Sequence, residues 1–265
     1  MIFLDVIVRI LLYKKIFSSC RPLYDTLFTS TEFIKKLRYI MKYSLLLFDL
    51  DQTLFDTDKN AENALKQLNL PFDFPFTEEQ VDYWHHLQQQ MWADLELGKM
   101  TRQQLVDTRF LRYFEHFGIA ADALDCEQQF EKVFFAEHAL MPYTQELLTT
   151  LSKQYQLAVI SNGTRAKQEQ QLRDSKIDHF FDKVYLAGEV GFSKPDINFF
   201  QAITQSQPEV NKSEMLVIGD SLTADIKGAN NFQIDSIWFN PHQLTASDIK
   251  PTYEVNELKQ ITDIL

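Results

Sequence analysis

Short apolar runs that stop at polar or acidic residues constrain this chain more than any other feature. "LAVIS" (157–161), "KVYLA" (183–187), "MLVIG" (215–219) and "DSIWF" (235–239) alternate with polar stretches of helical length. A strand that is apolar at nearly every position is buried on both faces, and alternation with helices is the rhythm of a parallel sheet covered on both sides. "LLLFDL" (45–50) has the same character and supplies the first strand. The interval between it and "LAVIS" reads differently. From Thr57 to about Ala139 the pattern is helical: Thr77 with Gln80 and Thr101 with Gln104 form capping-box pairs, and Gly98 and Gly118 stand where helices stop. The expected fold is α/β, a Rossmann-like doubly wound parallel sheet core with an inserted all-helical domain. The core takes residues 41–56 and 141–265, and the insertion takes 57–140.

The first run raises a chemical question, because "LLLFDLDQTLFD" ends in Asp49 and Asp51, with Asp56 five positions on. Carboxylates are almost never buried unless paired or bound to a metal. In open parallel sheets, ligands sit beyond the carboxyl ends of the strands. Four such ends carry polar groups here: "FDLDQT", "SNGT" after "LAVI", "GFSKPD" beyond the third strand, and "GDSLTAD" after "LVI".

In this order the four stretches resemble the haloacid dehalogenase superfamily, whose motifs match Asp49 to Thr53, Ser161-Asn162-Gly163, Lys194-Pro195, and Gly219-Asp220-Ser221 through Asp225. The resemblance covers residues 41 to about 240, and the insertion is similar to the family's C1-type helical cap. Gln52 departs from the Gly of many members, which implies a turn that does not need positive φ. The chemistry the resemblance implies is phosphoester hydrolysis, with Asp49 as nucleophile forming an aspartyl phosphate. Asp51, two residues on and therefore on the same side of an extended backbone, is the general acid and base. The implied cofactor is Mg²⁺, held by the Asp49 carboxylate, the Asp51 backbone carbonyl and Asp220, with Asp225 fixing metal waters or Lys194. Ser161 and the N–H groups of Asn162 and Gly163, opening a helix, would cradle phosphate, and Lys194 would neutralise it.

Plainer roles stay open for several of these residues. Ser161 also suits a helix N-cap, Asp225 a helix N-terminal acid, Lys194 a solvated surface, and Asp49 and Asp51 an acidic loop. Pro195 suits the first turn of the helix "DINFFQAI". The aromatics Trp84, Trp92, Phe110, Tyr113, Phe114 and Phe117 read as packing for the insertion, with one or two available to stack on a substrate ring.

Three activities compete: hydrolysis of a small phosphate monoester, a phosphomutase of the same fold, and a non-catalytic phospho-receiver. A receiver needs neither a second acid nor a helical cap. The stretch "MWADLELGKMTRQQLVDTRF", with "GEVGFSKPD" and "GDSLTADIKGANN", resembles the bacterial pyrimidine 5′-nucleotidase branch, which implies a nucleoside monophosphate as substrate; phosphoglycolate and sugar phosphates are the alternatives. The net charge of −11 argues against a nucleic-acid polymer or an anionic membrane as partner. Two distant cysteines, Cys20 and Cys126, give no metal clip and fit a reducing cytoplasm. Residues 1–40 hold seven Lys and Arg against three Asp and Glu, while the remainder holds nineteen against thirty-four. That break, and the clean start of an α/β domain at Met41, lead to the expectation that residues 1–40 are an upstream extension from a misplaced start; a surface amphipathic helix is the alternative.

Overall fold

All five apolar runs are strands, and a sixth short strand joins them at one edge. The structure is a computed structural model describing residues 42–245 and 248–265, so the expectation for residues 1–40 lies outside the described residues. The strands are β1 (Leu45–Phe48), β2 (Gln156–Ser161), β3 (Lys183–Leu186), β4 (Met215–Gly219), β5 (Asp235–Phe239) and β6 (Tyr253–Val255). They form one sheet in the order β3-β2-β1-β4-β5-β6, with every neighbouring pair parallel. Leu45 pairs with Gln156 on one side and Met215 on the other, which levels the ends of β1, β2 and β4.

Four helices lie within the insertion after β1: α1 (Thr57–Leu65), α2 (Glu78–Glu96), α3 (Arg102–His116) and α4 (Ala123–Phe134). The others are α5 (Thr144–Leu151), α6 (Arg165–Asp174), α7 (Ala187–Val190), α8 (Ile197–Ser206), α9 (Lys227–Phe232) and α10 (Ile261–Ile264). The strands' uniform apolarity has the expected cause. Leu45, Leu47, Ala158, Ile160, Met215 and Val217 pack on Phe199, Phe200 and Ile203 of α8 and Ala229 and Phe232 of α9. Their alternates, Leu46, Phe48, Leu157, Val159, Leu216 and Ile218, are just as completely buried on the opposite face. The edge strand β3, by contrast, exposes Lys183 and Val184.

The inserted helices build a core of their own around Trp84, Phe110, Tyr113, Phe114 and Phe130. Their ends follow the sequence signals. Thr101 Oγ1 accepts from Gln104 N at 3.1 Å while Gln104 Oε1 accepts from Thr101 N at 2.8 Å, and Gly98 and Gly118 take φ of 73° and 69° just past α2 and α3. One feature of this core has no local signature: a buried Arg109 whose Nε donates to Glu127 Oε2 at 2.6 Å, with its guanidinium 4.8 Å from the Phe130 ring. The pair is satisfied on both sides, as burial of two charges demands.

Because Phe110 is fully buried among these rings, truncating it leaves a cavity that the packed neighbours fill only in part. Phe110→Ala is expected to cost about 3–5 kcal/mol, read as a shift of the urea midpoint. A loss under about 1 kcal/mol would mean that the inserted helices do not fold around this ring.

Candidate active site

The strand order reverses between β1 and β4, and that crevice is where an open parallel sheet binds its ligand. Asp49 follows β1 directly, its N–H donating to Ile218 O at 2.9 Å and so carrying the ladder one residue past the strand. The chain then coils tightly, with Leu54 N and Phe55 N both donating to Leu50 O at 2.9 and 2.8 Å. That convergence forces Gln52 to φ 59°, in the left-handed region. The expectation that this turn avoids positive φ is therefore corrected: the turn needs it, and a residue with a Cβ bears it.

Lys194 reaches the crevice from the segment between α7 and α8. Its Nζ donates to Asp49 Oδ1 at 2.6 Å, Asp225 Oδ1 at 2.7 Å and Ile160 O at 3.0 Å. Only 2% of it is exposed, so the solvated-surface alternative fails. Burial would lower the ammonium, but Asp225 and Asp49 outweigh it and hold Lys194 above its ordinary value. Asp225 is itself buried and also accepts from Ser221 N at 3.1 Å, so it is no plain helix-terminal acid. A Cβ at Gly219 would lie 2.3 Å from Asp225 Cγ; glycine there is what lets this carboxylate sit against the end of β4. Pro195 is corrected too: it precedes the N-cap Asp196 of α8 and lies outside the helix, its peptide bond to Lys194 being cis.

Asp51 has a different set of partners. Lys167 Nζ donates to Oδ1, Gln168 Nε2 to Oδ2 at 2.7 Å, and Thr57 Oγ1 to Oδ1 at 3.1 Å. Burial would raise this carboxyl, but Lys167, Gln168 and Thr57 outweigh it and hold Asp51 below the usual carboxylate range. Lys167 and Gln168 are residues that sequence reasoning missed. α6 reads "RAKQEQQLRD", a composition expected on a solvated surface, yet Lys167, Gln168 and Gln171 are buried.

Ser161 ends β2 with its Oγ accepting from Gly163 N at 2.9 Å and from Gln168 Nε2 at 3.0 Å. Asn162 clasps the Lys194 backbone in both directions, Nδ2 donating to Lys194 O and Oδ1 accepting from Lys194 N, each at 2.9 Å. The residues named for the cradle thus meet Lys194, but they do not open a helix. α6 begins at Arg165 with Thr164 as its N-cap, so Asn162 and Gly163 lie in the preceding loop and Ser161 is not the cap.

Asp49, Asp51, Ser161, Asn162, Gly163, Lys194, Asp220 and Asp225 all line one cavity of about 620 Å³ between the sheet and the inserted helices. Two residues of the insertion close it against the core. Glu96, at the end of α2, accepts from Ser221 Oγ at 2.8 Å and from Thr223 Oγ1, and Arg102, at the start of α3, donates from Nη1 to Asn162 O at 2.9 Å. Trp84 and Trp92 line the same cavity, so these two aromatics serve both packing and wall.

Asp49, Asp220 and Asp225 each bring a carboxylate oxygen within 4.8 Å of the others, the one such cluster among the described residues. Asp220 is further fixed by Thr53 Oγ1, which donates to its Oδ1 at 3.2 Å, and by Trp238 Nε1, which donates to its backbone carbonyl at 2.7 Å. Burial and the negative charges of Asp225 and Asp51 push Asp49 up to about 7 despite Lys194; burial and the neighbouring acids raise Asp220 as well. An all-oxygen set short of positive charge fits a hard divalent cation.

Residues 46–239 match the haloacid dehalogenase-like hydrolase family model, and the chain belongs to that family. It is 37% identical to the pyrimidine 5′-nucleotidase PynA of Streptococcus pneumoniae, over 85% of this chain and 96% of that protein. It is 33% identical to the HAD-hydrolase YfnB of Bacillus subtilis, over 84% of this chain and 96% of that one. The crystal structure of YfnB bound to magnesium superposes with a TM-score of 0.77, covering 85% of this chain and 99% of that chain. The pyrimidine 5′-nucleotidase YjjG of Escherichia coli is 26% identical over 85% of this chain and 99% of its own length. The chain is therefore a hydrolase built on this family's α/β fold. Among the described residues, no helix is long and apolar enough to cross a membrane.

The raised carboxyls determine how stability varies with pH when divalent cations are chelated. Asp49, ordinarily near ~3.9, titrates at about 7 when folded. Between those values the folded chain holds a proton that the unfolded chain has released, so stability falls as pH rises. Asp51 is depressed: its contribution is present above the ordinary value and is lost only as pH falls through its lower folded value, outside this window. In chelator the Tm is expected to fall from pH 5 to pH 8. A rise over that interval would show that the acid cluster is already neutralised by the protein's own cations.

Proposed function

We propose that this hydrolase is a Mg²⁺-dependent phosphomonoesterase working through an aspartyl phosphate, with pyrimidine nucleoside 5′-monophosphates as its substrates. One observation carries the chemistry: two carboxylates, two residues apart and facing one cavity, have separate sets of partners, Asp49 bonded to Lys194 and Asp51 to Lys167, Gln168 and Thr57. Separate surroundings of this kind suit separate nucleophile and acid/base roles. The pyrimidine nucleotidase relatives support the choice of leaving group.

Asp49 attacks phosphorus as the ester P–O bond breaks, and the departing alkoxide takes a proton from the Asp51 carboxyl. Asp51, now a carboxylate, removes a proton from water as that water attacks the phosphorus, which frees inorganic phosphate and restores Asp49. Asp51 rests ionised; an entering dianion adds negative charge beside it and competes for Lys167, and both effects raise its pKa toward the acid form. Lys194 balances the charge of Asp49, with Asp225 positioning its ammonium, and Ser161, Asn162 and Gly163 cradle the phosphoryl oxygens. Mg²⁺, when bound, would be held by the carboxylates of Asp49 and Asp220 and the Asp51 carbonyl, and would supply positive charge that lets Asp49 meet a dianion as a carboxylate.

Release of free phosphate is expected to require Mg²⁺, and Asp49→Asn and Asp51→Asn are each expected to lower it at least about a thousandfold. Near wild-type turnover by Asp49→Asn would end the covalent mechanism. Across a panel of phosphate esters, pyrimidine monophosphates are expected to exceed phosphoglycolate and hexose phosphates in kcat/KM by about tenfold, which requires only about 1.4 kcal/mol of differential binding. A clear lead for the sugar phosphates would overturn the substrate assignment, and a product that keeps its phosphate at a new position would identify a mutase.

A further inference from the structure

The cavity wall contains a neutral polar group that none of the described residues satisfies. Gln88 lies on α2, and both its Nε2 and its Oε1 are buried without a hydrogen-bond partner; among the described residues no other carboxamide is in that state at both atoms. Trp84, one helical turn earlier and so on the same face, has an equally buried and unpaired Nε1. Both side chains line the cavity that holds Asp49 and Asp51. Buried donors and acceptors are nearly always paired, because an unmade bond forfeits the full cost of desolvation. Three unpaired polar atoms on one face of one helix, belonging to two side chains that line the substrate cavity, are the mark of groups whose partner is the ligand.

The kind of partner follows from the groups. A carboxamide offers one donor and one acceptor side by side, and its complement is a planar edge with an acceptor next to a donor. Uracil and thymine present this as a ring N3–H beside a carbonyl, and cytosine as N3 beside its amino group. The carboxamide serves either by turning over. An indole N–H adds a donor for a further ring carbonyl, and the half-buried ring of Trp92 in the cavity wall suits a flat heterocycle.

Resting on the nucleotidase reading above, we infer that Gln88 is the residue that reads the hydrogen-bonding edge of the pyrimidine base, with Trp84 Nε1 as its companion donor. Gln88 touches the leaving group rather than the reacting atoms, so it sets specificity and not the chemical step. A site built to bond a polar edge rejects an analogue lacking that edge far more strongly than an apolar pocket does, because its own buried groups are then stranded.

The test compares uridine 5′-monophosphate with its N3-methyl derivative, in which the ring donor is blocked, and with ribose 5-phosphate, which has no base. Wild-type enzyme is expected to favour the unmodified nucleotide over the N3-methyl form by about tenfold or more in kcat/KM. In Gln88→Leu that ratio is expected to collapse to within about twofold. Equal turnover of the two nucleotides by wild type, or persistence of the preference in Gln88→Leu, overturns the assignment of Gln88 alone, provided that uridine monophosphate still leads ribose 5-phosphate. A lead for ribose 5-phosphate overturns the nucleotidase reading and this inference with it. The wild-type comparison needs no variant, so the inference stays falsifiable if Gln88→Leu folds poorly.

Discussion

The ammonium of Lys194 is the point on which the site depends. With a single nitrogen it joins the end of β1 through Asp49, the end of β2 through the Ile160 carbonyl, and the turn after β4 through Asp225. A charge this deeply buried persists only where its partners are close and complete. Removing one partner would strand the others, so the three loops are held to a common geometry before any substrate arrives. Asn162 extends the constraint by clasping the Lys194 backbone from the β2 loop. Preorganisation of this kind gives a phosphate site its effect, since the donors need not reorganise when charge develops on the transferring group.

The inserted helices are tied to this frame more lightly. Two chain crossings connect them to the core, with Asp56 N donating to Ala139 O at 3.0 Å and Met141 N to Leu54 O at 2.9 Å. On the far side of the cavity, Glu96 and Arg102 rest on Ser221, Thr223 and Asn162. These two residues flank the short loop joining α2 to α3, so one tip of the insertion makes both contacts. A helical layer with its own aromatic core, joined at one end by two strands of chain and at the other by a few polar contacts, can separate from the sheet without disturbing either core. On the proposed function, that division would leave phosphate to the sheet and the leaving group to the insertion.

The strands and the acids at their ends were legible because both are local. A run apolar at every position states that it is buried on two faces, and an acid directly after it has one place to be, the carboxyl edge of the sheet. Lys167, Gln168, Glu96, Arg102 and Gln88 carried no such signal. Asp51 and Lys167 are 116 residues apart in the chain, and Glu96 and Ser221 are 125 apart, so neither partner marks the other. Locally, α6 and the middle of α2 look like solvated helix, and only the closing of the insertion over the sheet buries their polar side chains. Gln52 and Pro195 were misjudged for a related reason. Residue preferences state what a backbone favours, whereas convergence on the Leu50 carbonyl and the need to deliver Lys194 decide what it does.

The charge count at the centre leads further. Among the described residues, Asp49, Asp51, Asp220 and Asp225 face the cavity with only Lys167 and Lys194 bonded to them by ion pairs, so the carboxyl groups outnumber these cations by two. A chain of net charge −11 offers no long-range attraction to an anion. The deficit already appears in the protein itself, where burial and the neighbouring acids raise Asp49 to about 7 and raise Asp220 as well. A divalent cation matches that shortfall in sign and size. On the proposed mechanism it would also remove the contradiction between a nucleophile that must be ionised and a substrate that arrives as a dianion. On that mechanism, metal binding and phosphate binding would be one electrostatic event: the acid cluster that would repel phosphate by itself would become, with the cation bound, the part of the site that attracts it.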